Sequence, residues 1–389
     1  MEFSLTDEQR QFVELAQQFA AEALAPNAAR WDAEHEFPKA AITAAGELGF
    51  CALYSPEDAG GLGLSRLDSA LIFETLAQGC TTTTAMITIH NMATWMLTTW
   101  GTESIKAQWA EALTTGTKLA SYCLTEANAG SDAAALATTA VREGNEYLIN
   151  GSKMFISGAG ATDVLVVMAR TGEAGPKGIS ALVVPADAAG VIYGKTEQKM
   201  GWNAQPTREI TFDNVRVPVD ALLGAEGDGF CLAMKGLDGG RINIAACSLG
   251  TAQAALQRAQ EYLQQRQQFG KPLSQFQALQ FKLADMLTEL TAARQLVYFA
   301  AAQLDNGHPE ASSFCAMAKR FATDVGFKVC DSALQLHGGY GYIREYPLER
   351  HFRDTRVHQI LEGTNEIMRV IIARHMLAHG LDSFGPLAY

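Results

Sequence analysis

The sequence predicts a multidomain α+β protein with an N-terminal helical domain, a central antiparallel β sandwich or barrel, and a C-terminal four-helix bundle. Three observations predict this order: apolar residues first recur at helical spacing, short β-rich segments follow, and long helical segments fill the remainder. The chain has 389 residues, more than the roughly 150 residues expected of one domain. We therefore place the predicted domains at residues 1–117, 118–226 and 227–389.

The first predicted domain consists of helices. Thr6 and Gln9 have the spacing of a capping box, and apolar residues then recur at helical intervals. No chemistry is evident from this pattern alone. Further helices are predicted at 39–48, 67–77, 84–99 and 103–113.

The second predicted domain consists of short segments that are mostly rich in β-branched or aromatic residues. Asn150-Gly151 predicts a two-residue hairpin turn, because both residue types tolerate a positive φ. Seven short strands without intervening helices favour a sandwich or barrel over a parallel sheet. The predicted strands are 119–124, 137–142, 146–149, 153–157, 164–169, 179–184 and 210–215.

The third predicted domain returns to helical periodicity. Its segments are long and its connections short, which is typical of an antiparallel helix bundle. The predicted helices are 230–266, 275–306, 309–337 and 365–378.

The composition excludes several classes of protein. Hydrophobic residues make up 48% of the chain and charged residues 19%, which is typical of a protein with buried cores and not of a disordered chain. The formal net charge of -12 disfavours nucleic acid or an anionic membrane as the main partner. No apolar stretch is long enough to predict a membrane span.

The N-terminus and the cysteines indicate a reducing compartment. The first residues lack the basic segment and apolar run of a signal peptide, so we expect a bacterial cytoplasmic protein, or a mitochondrial matrix protein whose presequence has been removed. Seven scattered cysteines without a Cys-x-x-Cys motif predict neither a disulfide framework nor a zinc site. No metal site is predicted.

Several common catalytic motifs are absent. Asp163 stands where the third glycine of a dinucleotide-binding motif beginning at Gly158 would be, and no Walker A or His-Glu-x-x-His motif occurs. The segment 246–250 lacks the first glycine of a nucleophile elbow. These absences disfavour a Rossmann-type dehydrogenase, a metalloprotease and a serine hydrolase. An enzyme with another cofactor and a helical binding protein both remain open.

Four polar, glycine-bearing regions are candidates for chemistry. They are 122–132, 153–159, 266–272, and the pair 335–342 with 361–366. Each has a structural alternative, since a surface turn, a core strand or the end of a helix would show a similar pattern. Two tyrosines among the glycines of 335–342 indicate a surface for a planar ligand.

Glu362 is the candidate acid or base. It follows Ile360-Leu361 and precedes a predicted helix N-cap at Thr364. A carboxylate beside a helix start often compensates the helix dipole. In an apolar pocket its pKa would instead rise toward neutrality, which suits a general base. The pattern leaves both interpretations open.

Taken together, these regions resemble the acyl-CoA dehydrogenase family, FAD-dependent flavoproteins that introduce an α,β double bond into acyl-CoA thioesters. The resemblance rests on Cys123-Leu124-Thr125-Glu126 through Asp132 and on Gln335 through Gly341, and it extends over nearly the whole chain. It implies the same α–β–α fold, with FAD between the central domain and the bundle. It also implies that Glu362 is the base.

The resemblance further implies sets of binding residues. The flavin ring would contact Tyr122, Leu124, Thr125, Ser131, Phe155, Ile156 and Ser157. The pyrophosphate and adenosine parts of FAD would contact Arg266, Phe269, Phe276, Gln277, Gln335, Leu336, His337, Gly338 and Gly339, and the start of the last helix would add Thr364, Asn365 and Glu366. The acyl-CoA would contact Ser131, Asp238, Arg241, Leu361 and Arg374.

The family's branches differ at two positions that bear on the substrate. Some carry the base on an earlier bundle helix, where this chain has Gly239-Gly240, so Glu362 has no obvious rival. Straight-chain members commonly have tyrosine where this chain has Leu361, a change compatible with a branched acyl chain. Runs such as 356–363 resemble the branch that oxidises isobutyryl-CoA to methacrylyl-CoA in valine catabolism.

The resemblance also implies partners: the acyl-CoA substrate, an electron-transferring flavoprotein, and further copies of the chain in a homotetramer built as a dimer of dimers. Butyryl-CoA and 2-methylbutyryl-CoA remain alternative substrates, since a pocket discriminates one methylene by only about 1–3 kcal/mol. An acyl-CoA oxidase and a non-catalytic binding relative are the alternative functions.

Overall fold

A computed structural model describes residues 4–384 of the chain. Residues 1–3 and 385–389 lie outside the described part. They form the outer ends of the first and third predicted domains. Residues 1–3 also begin the N-terminal segment on which the predicted compartment depends. Within the described part, helices come first, a sheet follows, and helices fill the rest, in the predicted order.

The N-terminal part contains six α-helices. The predicted capping box is present: Gln9 donates its backbone N–H to Thr6 Oγ1 over 3.1 Å, and Thr6 donates its own to Gln9 Oε1 over 3.1 Å. A π-helical turn continues α1 over residues 20–24. The helices are α1 Asp7–Phe19, α2 Ala28–Glu34, α3 Lys39–Glu47, α4 Arg66–Gly79, α5 Thr81–Trp100 and α6 Glu103–Thr114.

The central part is one hydrogen-bonded sheet of eight strands. These are β1 Ala120–Cys123, β2 Thr139–Glu143, β3 Glu146–Ser157, β4 Val164–Arg170, β5 Ile179–Pro185, β6 Val191–Thr196, β7 Thr207–Pro218 and β8 Leu222–Leu223. Their order is β6-β7-β3-β2-β4-β5-β8, with β1 paired to β4. Most pairs are antiparallel as predicted, but β1 and β4 are parallel, and β2 meets β4 in parallel at one residue pair.

The predicted hairpin turn at Asn150-Gly151 is wrong. Both residues lie inside β3, which runs through the two segments predicted as separate strands. A register shift beside β7 occurs there, and Gly151 has a φ of 141°. The turn between β2 and β3 is instead Gly144-Asn145, with Gly144 at a φ of 65°. Gly151 therefore marks a bulge inside β3 and not the end of a strand.

The C-terminal part contains the four predicted long helices and one short helix that was not predicted. The short helix, α10, carries mostly charged residues, so its apolar periodicity is weak. The elements are α7 Gly229–Gln265, β9 Gln267–Gln268, β10 Lys271–Pro272, α8 Gln277–Asp305, α9 Ala311–His337, α10 Leu348–Arg356 and α11 Asn365–His379.

Two buried clusters organise the packing. One joins α1, α3 and α4 to α7, α8 and α9, so helices from the two ends of the chain share a core. The other joins the sheet to α5, α6 and the start of α7. A Cβ at Gly250 of α7 would lie 2.0 Å from the Glu74 carbonyl oxygen of α4, so the close approach of these helices requires glycine there. No helix among residues 4–384 is long and apolar enough to cross a membrane.

Candidate active site

A cavity of about 390 Å³ lies where the sheet, α5, α7 and the chain before α11 meet. It brings together all seven predicted flavin-ring contacts, although they come from two separate segments of the chain. Of the predicted base and acyl-CoA contacts, all but Asp238 also line it. The predicted residues in this cavity are Tyr122, Leu124, Thr125, Ser131, Phe155, Ile156, Ser157, Arg241, Leu361, Glu362 and Arg374.

Glu362 lies in the turn that connects α10 to α11. Its φ is 53°, and Gly363 follows at 88°. Thr364, and not Glu362, caps α11, because Thr364 Oγ1 accepts the Ile367 N–H over 3.3 Å. The structure therefore gives no support to a capping role for Glu362.

The Glu362 carboxyl group is set up to titrate near neutrality. Its Oε2 atom is shielded from solvent and has no hydrogen-bond partner in the described part of the chain. Burial raises the pKa of Glu362 to about 7, while the positive charges of Lys319 and Arg241 act to lower it. A carboxyl group with such a pKa is ionised in a large fraction of molecules at pH 7 and can still accept a proton.

Helix α7 makes room for this carboxyl group and holds a cation beside it. A Cβ at Gly240 would lie 2.2 Å from Glu362 Oε2, so any larger residue would displace the carboxylate. The next residue, Arg241, is buried and donates to Asp238 Oδ1 over 2.6 Å. Asp238 also accepts a hydrogen bond from Ser312. Asp238 thus lies behind Arg241 and does not line the cavity.

A buried lysine supports the loop that carries Leu124 and Thr125. Lys153 of β3 is fully buried, and its Nζ donates to the Leu124 carbonyl over 3.1 Å and to Glu126 Oε1 over 2.7 Å. The Met154 N–H donates to the Thr125 carbonyl over 2.8 Å. These contacts join the loop to β3, the strand that carries the other three predicted ring contacts.

The second group of predicted cofactor contacts borders another cavity, of about 460 Å³. Arg266 and residues 335–339 line it, together with Tyr262 and Tyr340. The rings of Tyr262 and His337 stack with centroids 4.3 Å apart, and the Arg266 guanidinium lies 5.6 Å from the centre of the Tyr340 ring. The two cavities share no lining residue, so the predicted FAD contacts of one chain do not line a single cavity.

The remaining predicted contacts near the β9–β10 hairpin line neither cavity. Phe269 is 93% exposed, with a φ of 53°. Its ring packs edge-on against Phe276, with centroids 6.1 Å apart, and Gln277 is exposed at the first position of α8. In the described part of the chain, these three residues therefore border neither cavity.

The three predicted contacts at the start of α11 also lie outside both cavities. Thr364 acts as the helix cap, and Glu366 is exposed and pairs with Arg369. Asn365 is buried, where it accepts from Lys319 Nζ over 3.0 Å and donates to Asp324 Oδ1 over 2.7 Å. The structure gives these residues local structural contacts.

The sequence did not identify several residues that line the first cavity. Ile89 and Met92 belong to an apolar face of α5 that is indistinguishable in sequence from core. Trp202 is 4% exposed and has a φ of 55°. Its Nε1 is buried without a partner among residues 4–384. The pattern Gly201-Trp202-Asn203, an aromatic residue between turn formers, was its only signal.

The two cavities fit the two halves of a dinucleotide-sized flavin cofactor. The first combines aromatic and aliphatic side chains with the hydroxyl groups of Thr125 and Ser157, which suits a flat ring with polar edges. The second offers the Arg266 guanidinium and open backbone at Gly338 and Gly339, where an added Cβ would meet no atom within 4 Å. Guanidinium and accessible backbone N–H groups are favourable partners for phosphate.

Comparison with known proteins gives a consistent result. The chain matches the N-terminal domain of acyl-CoA dehydrogenase at residues 6–117, the middle domain at 121–215 and the C-terminal domain at 227–377. It is 51% identical over 373 residues to the mitochondrial isobutyryl-CoA dehydrogenase of Bos taurus, covering 96% of this chain and 90% of the relative.

Solved structures agree and confirm the predicted fold class. The butyryl-CoA dehydrogenase from Megasphaera elsdenii is 42% identical, with a TM-score of 0.93 over 97% of this chain and 100% of that one. A structure described as PigA with FAD and proline is 29% identical, with a TM-score of 0.94 over 98% and 100%. These matches extend along almost the entire chain, and with the three domain matches they show that it belongs to the acyl-CoA dehydrogenase family.

Proposed function

We propose that this protein converts isobutyryl-CoA to methacrylyl-CoA and passes the electrons to an electron-transferring flavoprotein. The observation that carries the proposal is the Glu362 carboxyl group, which has a pKa of about 7 and lies in one cavity with the predicted flavin-ring contacts. As a member of its family the protein is an FAD-dependent acyl-CoA dehydrogenase. Its substrate, its electron acceptor and the roles of individual residues are the proposal.

Glu362 acts as the general base. The α-proton of a thioester is weakly acidic, so its removal requires a positioned base and stabilisation of the enolate-like oxygen. Ionised Glu362 takes this proton, and its backbone N–H binds the thioester carbonyl oxygen. Bound FAD supplies the acceptor for the hydride that leaves the β-carbon. Loss of one proton and one hydride gives the α,β double bond.

The rest of the cavity orients the substrate and excludes water. Arg374 lines the cavity and suits the negatively charged CoA portion. The apolar side chains that line the cavity with Glu362 suit a small neutral acyl group. These side chains also exclude water, which strengthens a carboxylate as a base. The apolar residues are Ile89, Met92, Trp202, Leu361 and Ile367.

The substrate assignment rests on two supports. The 51% identity is to an isobutyryl-CoA dehydrogenase, whereas the butyryl-CoA dehydrogenase of known structure is 42% identical. Leu361 precedes the base in this chain and lines the cavity, and a leucine there in place of a tyrosine is compatible with a branched acyl chain. Butyryl-CoA and 2-methylbutyryl-CoA are the competing substrates.

FAD bridges two copies of the chain in this proposal. The residues of the first cavity of one copy would hold the flavin ring, and those of the second cavity of its neighbour, together with the exposed Phe269, would hold the adenosine end. This accounts for two separate cavities in one chain. A homotetramer, as a dimer of dimers, follows, and sedimentation velocity should give the mass of four chains.

An anaerobic titration tests the function. Purified holoprotein is mixed with isobutyryl-CoA, butyryl-CoA or 2-methylbutyryl-CoA, and visible flavin absorbance is followed. We expect bleaching by isobutyryl-CoA at the lowest concentration. The Glu362→Gln variant should bleach at least about 100-fold more slowly, the usual contribution of a general base. Glu345→Gln, an exposed carboxylate outside both cavities, is the matched control and should behave as wild type.

The same titration separates the alternatives. Preferential bleaching by another thioester would retain the mechanism and replace the substrate. Rapid reoxidation by air after substrate bleaching, without an electron-transferring flavoprotein, would indicate an oxidase. Bound flavin that no thioester bleaches would favour a non-catalytic relative.

A further inference from the structure

Lys319 of α9 is a buried lysine whose surroundings are unusual. It is 0% exposed, and its Nζ donates to the Gly363 carbonyl over 2.8 Å and to Asn365 Oδ1 over 3.0 Å. No carboxylate lies within ion-pair distance of it in the part of the chain that the structure describes. A buried ammonium group without a paired carboxylate is costly, so its retention calls for a specific role.

The ammonium group is directed at the turn that carries the proposed base. Gly363, whose carbonyl it holds, directly follows Glu362, and both residues have positive φ values. Non-glycine residues adopt such a backbone only when surrounding contacts enforce it. Lys319 therefore donates hydrogen bonds to this turn at the Gly363 carbonyl and, two residues further on, at the Asn365 side chain.

We propose that Lys319 is a positioning residue for the dehydrogenation, because it fixes the Glu362-Gly363 turn and places a positive charge that favours the ionised Glu362 carboxylate. The inference rests on the proposed role of Glu362 as the base. Lys319 does not touch the reacting atoms and acts through Glu362.

The charges around Glu362 support this role. Burial raises the pKa of Glu362 and so disfavours the ionised form that can accept a proton. Lys319 from α9 and Arg241 from α7 both act to lower its pKa, which settles at about 7. The other titratable groups that interact with Glu362 are neutral at this pH, with pKa values raised by burial; they are Tyr54, Tyr122 and Cys247.

The pKa of Lys319 in turn depends on the burial and the charges around it. Burial lowers its pKa to about 8, and Arg241 acts in the same direction, whereas negative charge on Glu362 and on two further carboxylates of the same chain raises it. Those carboxylates are Asp324 and Glu366. Burial, with a contribution from the charge of Lys319, lowers the pKa of His358 to about 3, so this histidine stays neutral. Around pH 7 the lysine therefore carries its proton while Glu362 titrates.

Two variants test the proposal. Lys319→Met removes both the charge and the hydrogen bonds, whereas Lys319→Gln removes the charge and keeps a donor for the Gly363 carbonyl. The matched control is Lys328→Met, which removes an exposed lysine of the same helix that pairs with Glu289. For each holoprotein we would measure the rate of anaerobic flavin bleaching by isobutyryl-CoA from about pH 5.5 to about 9.5, a window that brackets both the wild-type pKa of about 7 and a value raised by about one unit.

We expect the midpoint of the pH profile to rise by about one unit in both Lys319 variants, the shift that a lost neighbouring cation produces. The bleaching rate at pH 7 should fall and recover at high pH. Lys328→Met should keep the wild-type midpoint. An infrared titration of the protonated carboxyl band that Glu362→Gln removes should show the same upward shift without reference to turnover.

An unchanged midpoint in Lys319→Gln, by both readouts, would overturn the proposal and leave Lys319 a structural residue only. If Lys319→Met does not fold, Lys319→Gln decides the outcome. A Glu362→Gln variant that bleaches normally would refute the proposed function itself, whatever the Lys319 variants do.

Discussion

The pKa of Glu362 results from two opposing effects on one side chain. Removal from water raises it, the nearby cations Lys319 and Arg241 lower it, and the result is a carboxyl group that titrates near neutral pH. The left-handed turn that presents the carboxylate is compatible with this role, since strained backbone persists at sites where neighbouring contacts determine it.

This pKa predicts the pH dependence of the wild-type enzyme. The base is active as carboxylate, so the rate of flavin bleaching should be low below pH 6, rise through a midpoint near pH 7, and level off above it. Stopped-flow absorbance at sub-saturating isobutyryl-CoA, where the rate reports the groups of the free enzyme, would measure the profile. A rate that is independent of pH between 5.5 and 8, a range of roughly one unit or more on each side of that midpoint, would contradict the assignment.

Gly240 gives a second prediction at the residue scale. In Gly240→Ala the new Cβ would lie 2.2 Å from Glu362 Oε2, so the carboxylate must move, and we expect bleaching about 100-fold slower. The helix itself should gain about 1 kcal/mol from alanine. Gly236→Ala, one turn earlier on α7, meets only the flexible side chains of Met92 and Met96 and is the control. Equal activity of the two variants would refute the prediction.

At the scale of elements, β3 connects the binding loop to the sheet through a buried ion pair. Lys153 and Glu126 are 0% and 9% exposed, and Lys153 also holds the Leu124 carbonyl. Breaking a buried pair on one side leaves an uncompensated charge, whereas removing both charges relieves much of that cost.

We therefore expect Lys153→Met to lower the free energy of unfolding by about 3–5 kcal/mol and to reduce FAD content, because the loop loses its support. The double variant Lys153→Met/Glu126→Gln should recover part of the stability. Urea unfolding at one fixed FAD concentration would measure both. Arg216→Met, which breaks the exposed pairs with Glu143 and Glu146, should leave the free energy of unfolding unchanged. A loss of free energy as large as that of Lys153→Met would argue against burial as the cause.

The elements themselves were largely predictable. Long helices such as α7 and α9 begin and end within two residues of the predicted positions, since their periodicity is sustained and glycine follows α9. The prediction missed the helices α2 and α10 and the strand β6, and it misread Asn150-Gly151 as a turn. For α10 and for the misread turn, packing decided the conformation against a local signal: the mostly charged α10 buries Leu348 and His351, and β3 pairs with β7 on both sides of the bulge.

At the scale of the whole molecule, the predicted cofactor contacts divide between two cavities that share no lining residue, and the proposed function joins them through a second copy of the chain. Arg266→Ala should therefore reduce FAD content and weaken assembly together, although Arg266 lies outside the cavity that contains Glu362. Flavin absorbance relative to protein and sedimentation velocity would measure both effects. Arg258→Ala is the control, because Arg258 is an exposed arginine of α7, the helix that ends directly before Arg266. Full FAD content in Arg266→Ala would contradict the arrangement.

The sequence by itself determined the order of helices and strands, the family, and the identity of Glu362 as the candidate base, because these depend on local periodicity and on motifs that are contiguous in the chain. Tertiary structure decided the rest. Only folding brings Gly240 of α7 and Lys319 of α9 to the turn at Glu362, and only folding places Trp202 in the same cavity. Burial and charge at such a junction depend on residues that are distant in sequence, so no local pattern predicts the pKa of the base.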